Sequence, residues 1–125
     1  MAIDVNPKFY FAYLNLANVY IAIGDFNNAI KYLKESIKIN SNFSIAHRQL
    51  SRITKYTDNN EHFIELIKLY KKTNIKKDED KMHLAFSLGK AYEDIKSFNK
   101  SFLCYEDANT IFRKRINFSF NKEKD

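Results

Sequence analysis

The sequence predicts an all-α fold of stacked antiparallel helix pairs, and three observations carry that expectation. Only 2 glycines and 1 proline punctuate 125 residues, too few for hairpins or a many-stranded sandwich. Apolar residues recur at the spacing of one helical face. Those faces themselves recur along the chain, at an interval suited to a helix pair. A 45% hydrophobic content with 8 tyrosines and 11 phenylalanines supplies material for one core, which argues against a wholly disordered chain, and the length is that of a single domain.

Helices are expected at about 9–23, 26–40, 43–56, 59–73, 78–96 and 98–115. In the first pair Tyr13, Leu16, Ala17 and Tyr20 lie on one helix, Gly24-Asp25 breaks it, and Ala29 and Leu33 lie on the next. The last pair repeats this with Ala85, Leu88, Gly89 and Tyr92, a break near Lys96-Ser97, then Phe98, Ser101 and Tyr105. Large residues one turn apart make a packing seam, while Ala17, Gly89, Ala29 and Ser101 let helix backbones approach closely. Between them stands a divergent pair. Tyr13 to His47 is 34 residues, and His47-Arg48-Gln49-Leu50-Ser51 supplies its first-helix signature. His47 to Ala85 is 38 residues, implying a four-residue insertion around Thr73 to Asp80. The second helix of this pair is expected from Glu61 to Lys72, with Phe63, Leu66, Ile67 and Tyr70 apolar at helical spacing. Asp25, Thr57 or Asp58, and Asp78 are the expected N-caps.

This pattern of aromatic, Leu, small residue, Tyr, then small residue and aromatic resembles the tetratricopeptide repeat, with Leu33 in place of the second aromatic and Thr54 where Tyr is usual. The resemblance implies an α-α superhelix of about three repeats within one domain, residues 1–125. Repeat 1 is expected at 10–43, a divergent repeat 2 with the insertion at 44–81, and repeat 3 at 82–115. Residues 1–8, with Ala2-Ile3-Asp4-Val5-Asn6-Pro7, resemble the tail of a preceding repeat, and 116–125 reads as an exit linker.

A narrower resemblance covers about Ala46 to Arg113. Ala46-His47-Arg48-Gln49-Leu50-Ser51-Arg52-Ile53, Phe86-Ser87-Leu88-Gly89-Lys90-Ala91-Tyr92-Glu93-Asp94 and Tyr105-Glu106-Asp107-Ala108-Asn109 are similar to the repeat region before the catalytic domain of bacterial tetratricopeptide-sulfotransferase fusion proteins. That likeness implies a parent protein with a sulfotransferase-like domain. The chain itself has no segment like the P-R-S-G-T-T loop that cradles the sulfate donor's phosphates in that family. Gly24 falls at a helix end and Gly89 inside a helix, so neither can build that loop.

The repeat resemblance also implies a concave groove lined by the first helix of each pair, which holds a protein or peptide. By that geometry the groove residues are Phe11, Leu14, Asn15, Asn18 and Ile21, then Arg48, Gln49, Arg52 and Lys55, then His83, Phe86, Ser87 and Lys90. Arg48 and Arg52 are one turn apart, and Lys90 holds the place equivalent to Arg52, a set of cations suited to an acidic segment. Chaperone-binding members grip a C-terminal carboxylate with Lys and Asn on the first helix. Asn18 matches the Asn, but Leu14 replaces the Lys, so that clamp is incomplete.

Other chemistry finds little footing. His47, His62 and His83 are scattered, and Glu61, His62 and Glu65 alone approach metal-ligand spacing, so neither metal nor cofactor is expected. Cys104 has no His at helical spacing to act as its base, which points to a small apolar role rather than nucleophilic catalysis. Asp78-Glu79-Asp80 reads as the acidic first turn of a helix. Net charge is +6, and Arg113-Lys114-Arg115-Ile116-Asn117-Phe118-Ser119-Phe120 mixes cations with aromatics, so nucleic acid is a third-ranked partner. The longest apolar run, Val19 to Ile23, is far too short to span a membrane, and no signal peptide opens the chain. The expected class is a non-catalytic cytoplasmic interaction module, either the arm of a sulfotransferase-like protein or a freestanding adaptor. Exposed apolar surface at a terminal repeat favours a homodimer.

Overall fold

The computed structural model describes the backbone of residues 7–72 and 78–124 and the side chains of residues 9–72 and 78–117. Six α-helices follow one another: α1 (Pro7–Ala22), α2 (Phe26–Ile39), α3 (Ser44–Arg52), α4 (Glu61–Lys71), α5 (Asp78–Asp94) and α6 (Phe98–Lys124). No strand occurs among the described residues, and the fold is all-α, as the helical spacing predicts. Residues 1–6 of the expected leading tail and 73–77 of the expected insertion lie outside the described residues. The chain divides into two compact units, residues 1–54 and residues 55–125.

In the first unit, α1 opens on Pro7, where a missing N–H costs no helical hydrogen bond. It ends at Gly24, whose φ of 80° lies in the left-handed region open to glycine. The Gly24 N–H donates to the Ile21 carbonyl at 3.1 Å, and the Asp25 N–H to the Tyr20 carbonyl at 2.9 Å. This pair of bonds closes a helix end and reverses the chain. Asp25 then caps α2, its carboxylate accepting from the Asn28 N–H at 3.3 Å. The reversed helix lays Ala29, Leu33, Ser36 and Ile37 inward. A core forms from Leu14 and Ala17 of α1, Leu33 and Ile37 of α2, Phe43, and Ala46 and Leu50 of α3. Burial of each large side chain there contributes about 1.5–3 kcal/mol. Ser36 brings a hydroxyl into this apolar setting and satisfies it by donating to the Tyr10 carbonyl at 2.8 Å.

In the second unit, Asn60 caps α4 by accepting from the Phe63 N–H at 3.1 Å. Phe63, Leu66 and Leu69 of α4 meet Leu84, Leu88 and Ala91 of α5, with Tyr56 completing the cluster. Helix α6 packs on α5 at Gly89, where an added Cβ would stand 2.7 Å from two carbons of the Tyr105 ring. At this crossing the Ser101 hydroxyl donates to the Gly89 carbonyl at 2.8 Å. Helix α5 ends as α1 does. The Lys96 N–H donates to the Glu93 carbonyl at 3.0 Å, and the Ser97 N–H to the Tyr92 carbonyl at 2.9 Å. The left-handed residue here is Lys96, at φ 65°.

Gly24 and Lys96 are 72 residues apart, as are Ala17 and Gly89, Ala29 and Ser101, and Leu33 and Tyr105. The small residues chosen from spacing are all buried, and Gly89 and Ser101 meet where α5 and α6 cross. Several boundaries differ from expectation. Helix α3 stops at Arg52 rather than 56, because the Thr54 hydroxyl takes the Leu50 carbonyl at 2.7 Å and the Tyr56 N–H goes to the Asp94 carboxylate at 3.1 Å. The cap of α4 is Asn60 rather than Thr57 or Asp58. Asp78 is the first residue of α5, in its acidic first turn. Helix α6 continues through the residues read as an exit linker, to Lys124.

Candidate functional site

In the first unit the groove candidates of α1 and α3 come together. Asn18, exposed on α1, accepts from the Gln49 side-chain amide at 2.7 Å, and the Arg52 Nη1 donates to the Gln49 Oε1 at 3.1 Å. Gln49 thus couples an amide on α1 to a guanidinium on α3, one hydrogen bond of the several that group can donate. The same Gln49 and Arg52 line a cleft of about 240 Å³ with Ile21, Phe26 and Ile53. Arg48, half-buried one turn earlier, has its guanidinium pulled below the usual range, first by burial and then by the neighbouring charge of Arg52. Both causes disfavour the cation, and an anion placed between the two would offset the repulsion between them.

Of the other candidates in this unit, Asn15 is exposed. Phe11 is 48% exposed, stacks on the Tyr10 ring 4.9 Å away and meets the Phe43 ring in a T-shaped contact at 5.1 Å. Leu14 is 5% exposed and belongs to the core. Its place on the groove-facing side is thus filled by packing, and it offers no surface to a ligand.

In the second unit Asp94 organises the charged candidates. Its carboxylate accepts from the Tyr56 N–H and from the Lys90 ammonium, and Lys55 Nζ approaches it at 3.9 Å. Lys90 also lies 5.3 Å from the centre of the Tyr56 ring. Its charge is therefore compensated inside its own unit, whereas Lys55 is 83% exposed and only weakly held. Phe86 is half-buried beside Met82, Ala85 and Ala108, with the Tyr105 ring 6.4 Å away. Ser87 is buried and donates to the His83 carbonyl at 2.8 Å.

Two features escaped the sequence. Asp94 as a hub had one visible signal, its position four residues after Lys90 on the same helix. A mostly apolar cleft of about 200 Å³, lined by Ile67, Tyr70, Leu88, Tyr92, Leu103 and Cys104 with two lysines, had none, since α4, α5 and α6 all contribute. Burial and then Asp107 push the Cys104 thiol up, away from the reactive thiolate.

The histidines stand apart. His47 is fully buried, and its Nε2 N–H donates to the Ser41 carbonyl at 2.8 Å. His62 Nδ1 lies 2.7 Å from the Tyr56 hydroxyl, and His83 lies 3.7 Å from Glu79. Among the described residues no group of three or more His, Cys, Asp or Glu side chains is placed to hold a metal ion, and no helix is long and apolar enough to cross a membrane.

Compared with known proteins, residues 10–43 match the family model of the tetratricopeptide repeat. No curated protein and no solved structure gives a significant match.

Proposed function

We propose that this chain is a non-catalytic protein-interaction module that binds an acidic segment of a protein or peptide along Asn15, Asn18, Gln49 and Arg52, with Arg48 behind them. A tetratricopeptide repeat at 10–43 supports protein binding as the class of function. The observation that carries the finer reading is the hydrogen-bonded line Asn18–Gln49–Arg52 beside a cleft of about 240 Å³. Amide and guanidinium donors held in a row suit carboxylates and the carbonyls of an extended chain. Phe11 adds an exposed aromatic face on the same helix as the two asparagines. The second unit offers Lys55, Phe86 and Lys90, of which Lys55 is the most available to a ligand. Titrating an acidic peptide library against the chain and its Arg48→Ala/Arg52→Ala variant tests the reading. Affinity should fall with the arginines, and unchanged binding would defeat it.

The parent protein is read as carrying a sulfotransferase-like domain, with this chain as its cytoplasmic repeat arm. The supporting residues are Ala46 to Ile53 and Phe86 to Asp94, which lie on or beside α3 and α5. Reading the gene beyond the codon for Asp125 decides it: a strand followed by a P-R-S-G-T-T-like loop supports the arm, and a stop codon leaves a freestanding adaptor. Nucleic-acid binding ranks last; Arg113 and Lys114 are exposed on α6, and Arg115 already lies 3.5 Å from Glu79. Self-association through α6 is the remaining partner reading, favoured by its exposed Phe98, Phe102, Phe112 and Ile116.

A further inference from the structure

The repetition by 72 residues pairs Tyr20 with Tyr92, Tyr13 with Ala85, Tyr32 with Cys104 and Asn28 with Lys100. In the first unit Tyr32 of α2 lies flat on Tyr20, with centroids 5.6 Å and planes 7° apart, and stacks on Tyr13 at 6.0 Å. In the second unit Tyr92 is kept, but small side chains stand where both neighbouring rings were. Phe63 of α4 meets Tyr92 in a T-shaped contact at 5.1 Å. Where α6 passes Tyr92, no ring takes the place of Tyr32. The cleft of about 200 Å³ opens there instead, with Leu88, Tyr92, Leu103 and Cys104 among its walls.

Shape and charge together say what fits this cleft. An apolar cavity of about 150 Å³ accepts one benzene ring, so about 200 Å³ admits a ring with a fused neighbour or a substituent. Lys100, where the first unit has Asn28, holds its Nζ 5.7 Å from the centre of the Tyr92 ring. Lys71 of α4 lines the same cleft, and both lysines are exposed. Among the described residues these two ammonium groups are the charges that line it. Asp107 accepts from the Tyr70 hydroxyl at 3.0 Å and touches that wall without lining the cleft. Apolar walls with cations at the rim suit an aromatic ring that bears an anion. We propose that the cleft binds a small free aromatic carboxylate, its ring on Tyr92 in the place that Tyr32 takes on Tyr20 and its carboxylate at Lys71 and Lys100. The site lies wholly within the second unit and does not depend on the acidic-segment reading above.

Titrating the full chain with 2-naphthoate, followed by amide and methyl chemical shifts, tests the proposal. Saturable shifts are expected at Ile67, Tyr92, Leu103 and Cys104. Cys104→Tyr supplies the absent ring from the chain itself, so it should raise the midpoint of thermal unfolding and abolish those shifts. Lys71→Ala/Lys100→Ala changes two exposed side chains. It should weaken 2-naphthoate about threefold to tenfold and leave 2-naphthalenemethanol, the same rings without the charge, within about twofold. No saturable shifts at these residues, or shifts gathered at Gln49 and Arg52 instead, overturn the site. Undiminished binding by Cys104→Tyr overturns it too, and a lowered unfolding midpoint for that variant shows that the cleft has no room for a ring. Equal losses for the acid and the alcohol in the lysine variant overturn the anionic part of the ligand.

Discussion

Adding a single methyl group at Gly89 should destabilise the second unit, although alanine is the better helix former. A Cβ there would lie 2.7 Å from two carbons of the Tyr105 ring and 3.0 Å from a third. Relieving that overlap by moving a side chain or the backbone costs about 1–3 kcal/mol. Parting the helices also stretches the buried hydrogen bond from Ser101 to the Gly89 carbonyl, worth about 1 kcal/mol. Alanine's helix propensity returns about 1 kcal/mol, so Gly89→Ala should lose about 1–3 kcal/mol net. The first unit supplies the compensating change, because there Ala17 and Leu33 occupy the places of Gly89 and Tyr105. Gly89→Ala/Tyr105→Leu should therefore recover most of what Gly89→Ala loses, a coupling that urea denaturation of the four members of the cycle measures directly. If Gly89→Ala is neutral or stabilising, or the two changes simply add, the close approach at this crossing is wrong.

Other consequences follow from single sites. Lys96→Gly should stabilise by about 1 kcal/mol, because Lys96 holds φ 65° where Gly24 holds 80°; thermal unfolding checks it, and Gly24→Ala should move the other way by a similar amount. Burial, then Glu93 and Asp94, push the Tyr105 phenol up to about 12 from an ordinary 10.0. The unfolded chain then ionises first, so the stability from this group is present below pH 10.0 and lost as pH rises to about 12. Tyr105→Phe should flatten that alkaline decline in a pH series of denaturation curves. Asp94→Ala should cost about 1–3 kcal/mol, by removing the acceptor of the Tyr56 N–H and one partner of Lys90, a loss that raised salt should not reproduce.

The parts of the fold legible in the sequence were those set by local contacts. Ala17, Ala29, Gly89 and Ser101 stood out because helix crossings demand small residues at fixed spacing, and all four are buried. Asp25 was legible as a cap because it follows a glycine break. The end of α3 was not, because it is set by a bond from Tyr56 to Asp94, 38 residues away, and no local pattern records such a partner. Periodicity also could not separate Leu14 from Asn18. Both lie on the same side of α1, but Leu14 turns into the core and Asn18 meets Gln49 at the surface. The apolar cleft beside Cys104 was hidden for the same reason, being assembled from three helices.

The central claim is that a ligand lies along Asn15, Asn18, Gln49 and Arg52. Amide chemical-shift mapping of the isotope-labelled chain, titrated with an acidic peptide, tests it most directly. The account predicts saturable shifts concentrated at those four residues and Arg48, absent in Arg48→Ala/Arg52→Ala. Shifts gathered around Cys104 and Tyr92, or spread evenly over the exposed lysines, would contradict it.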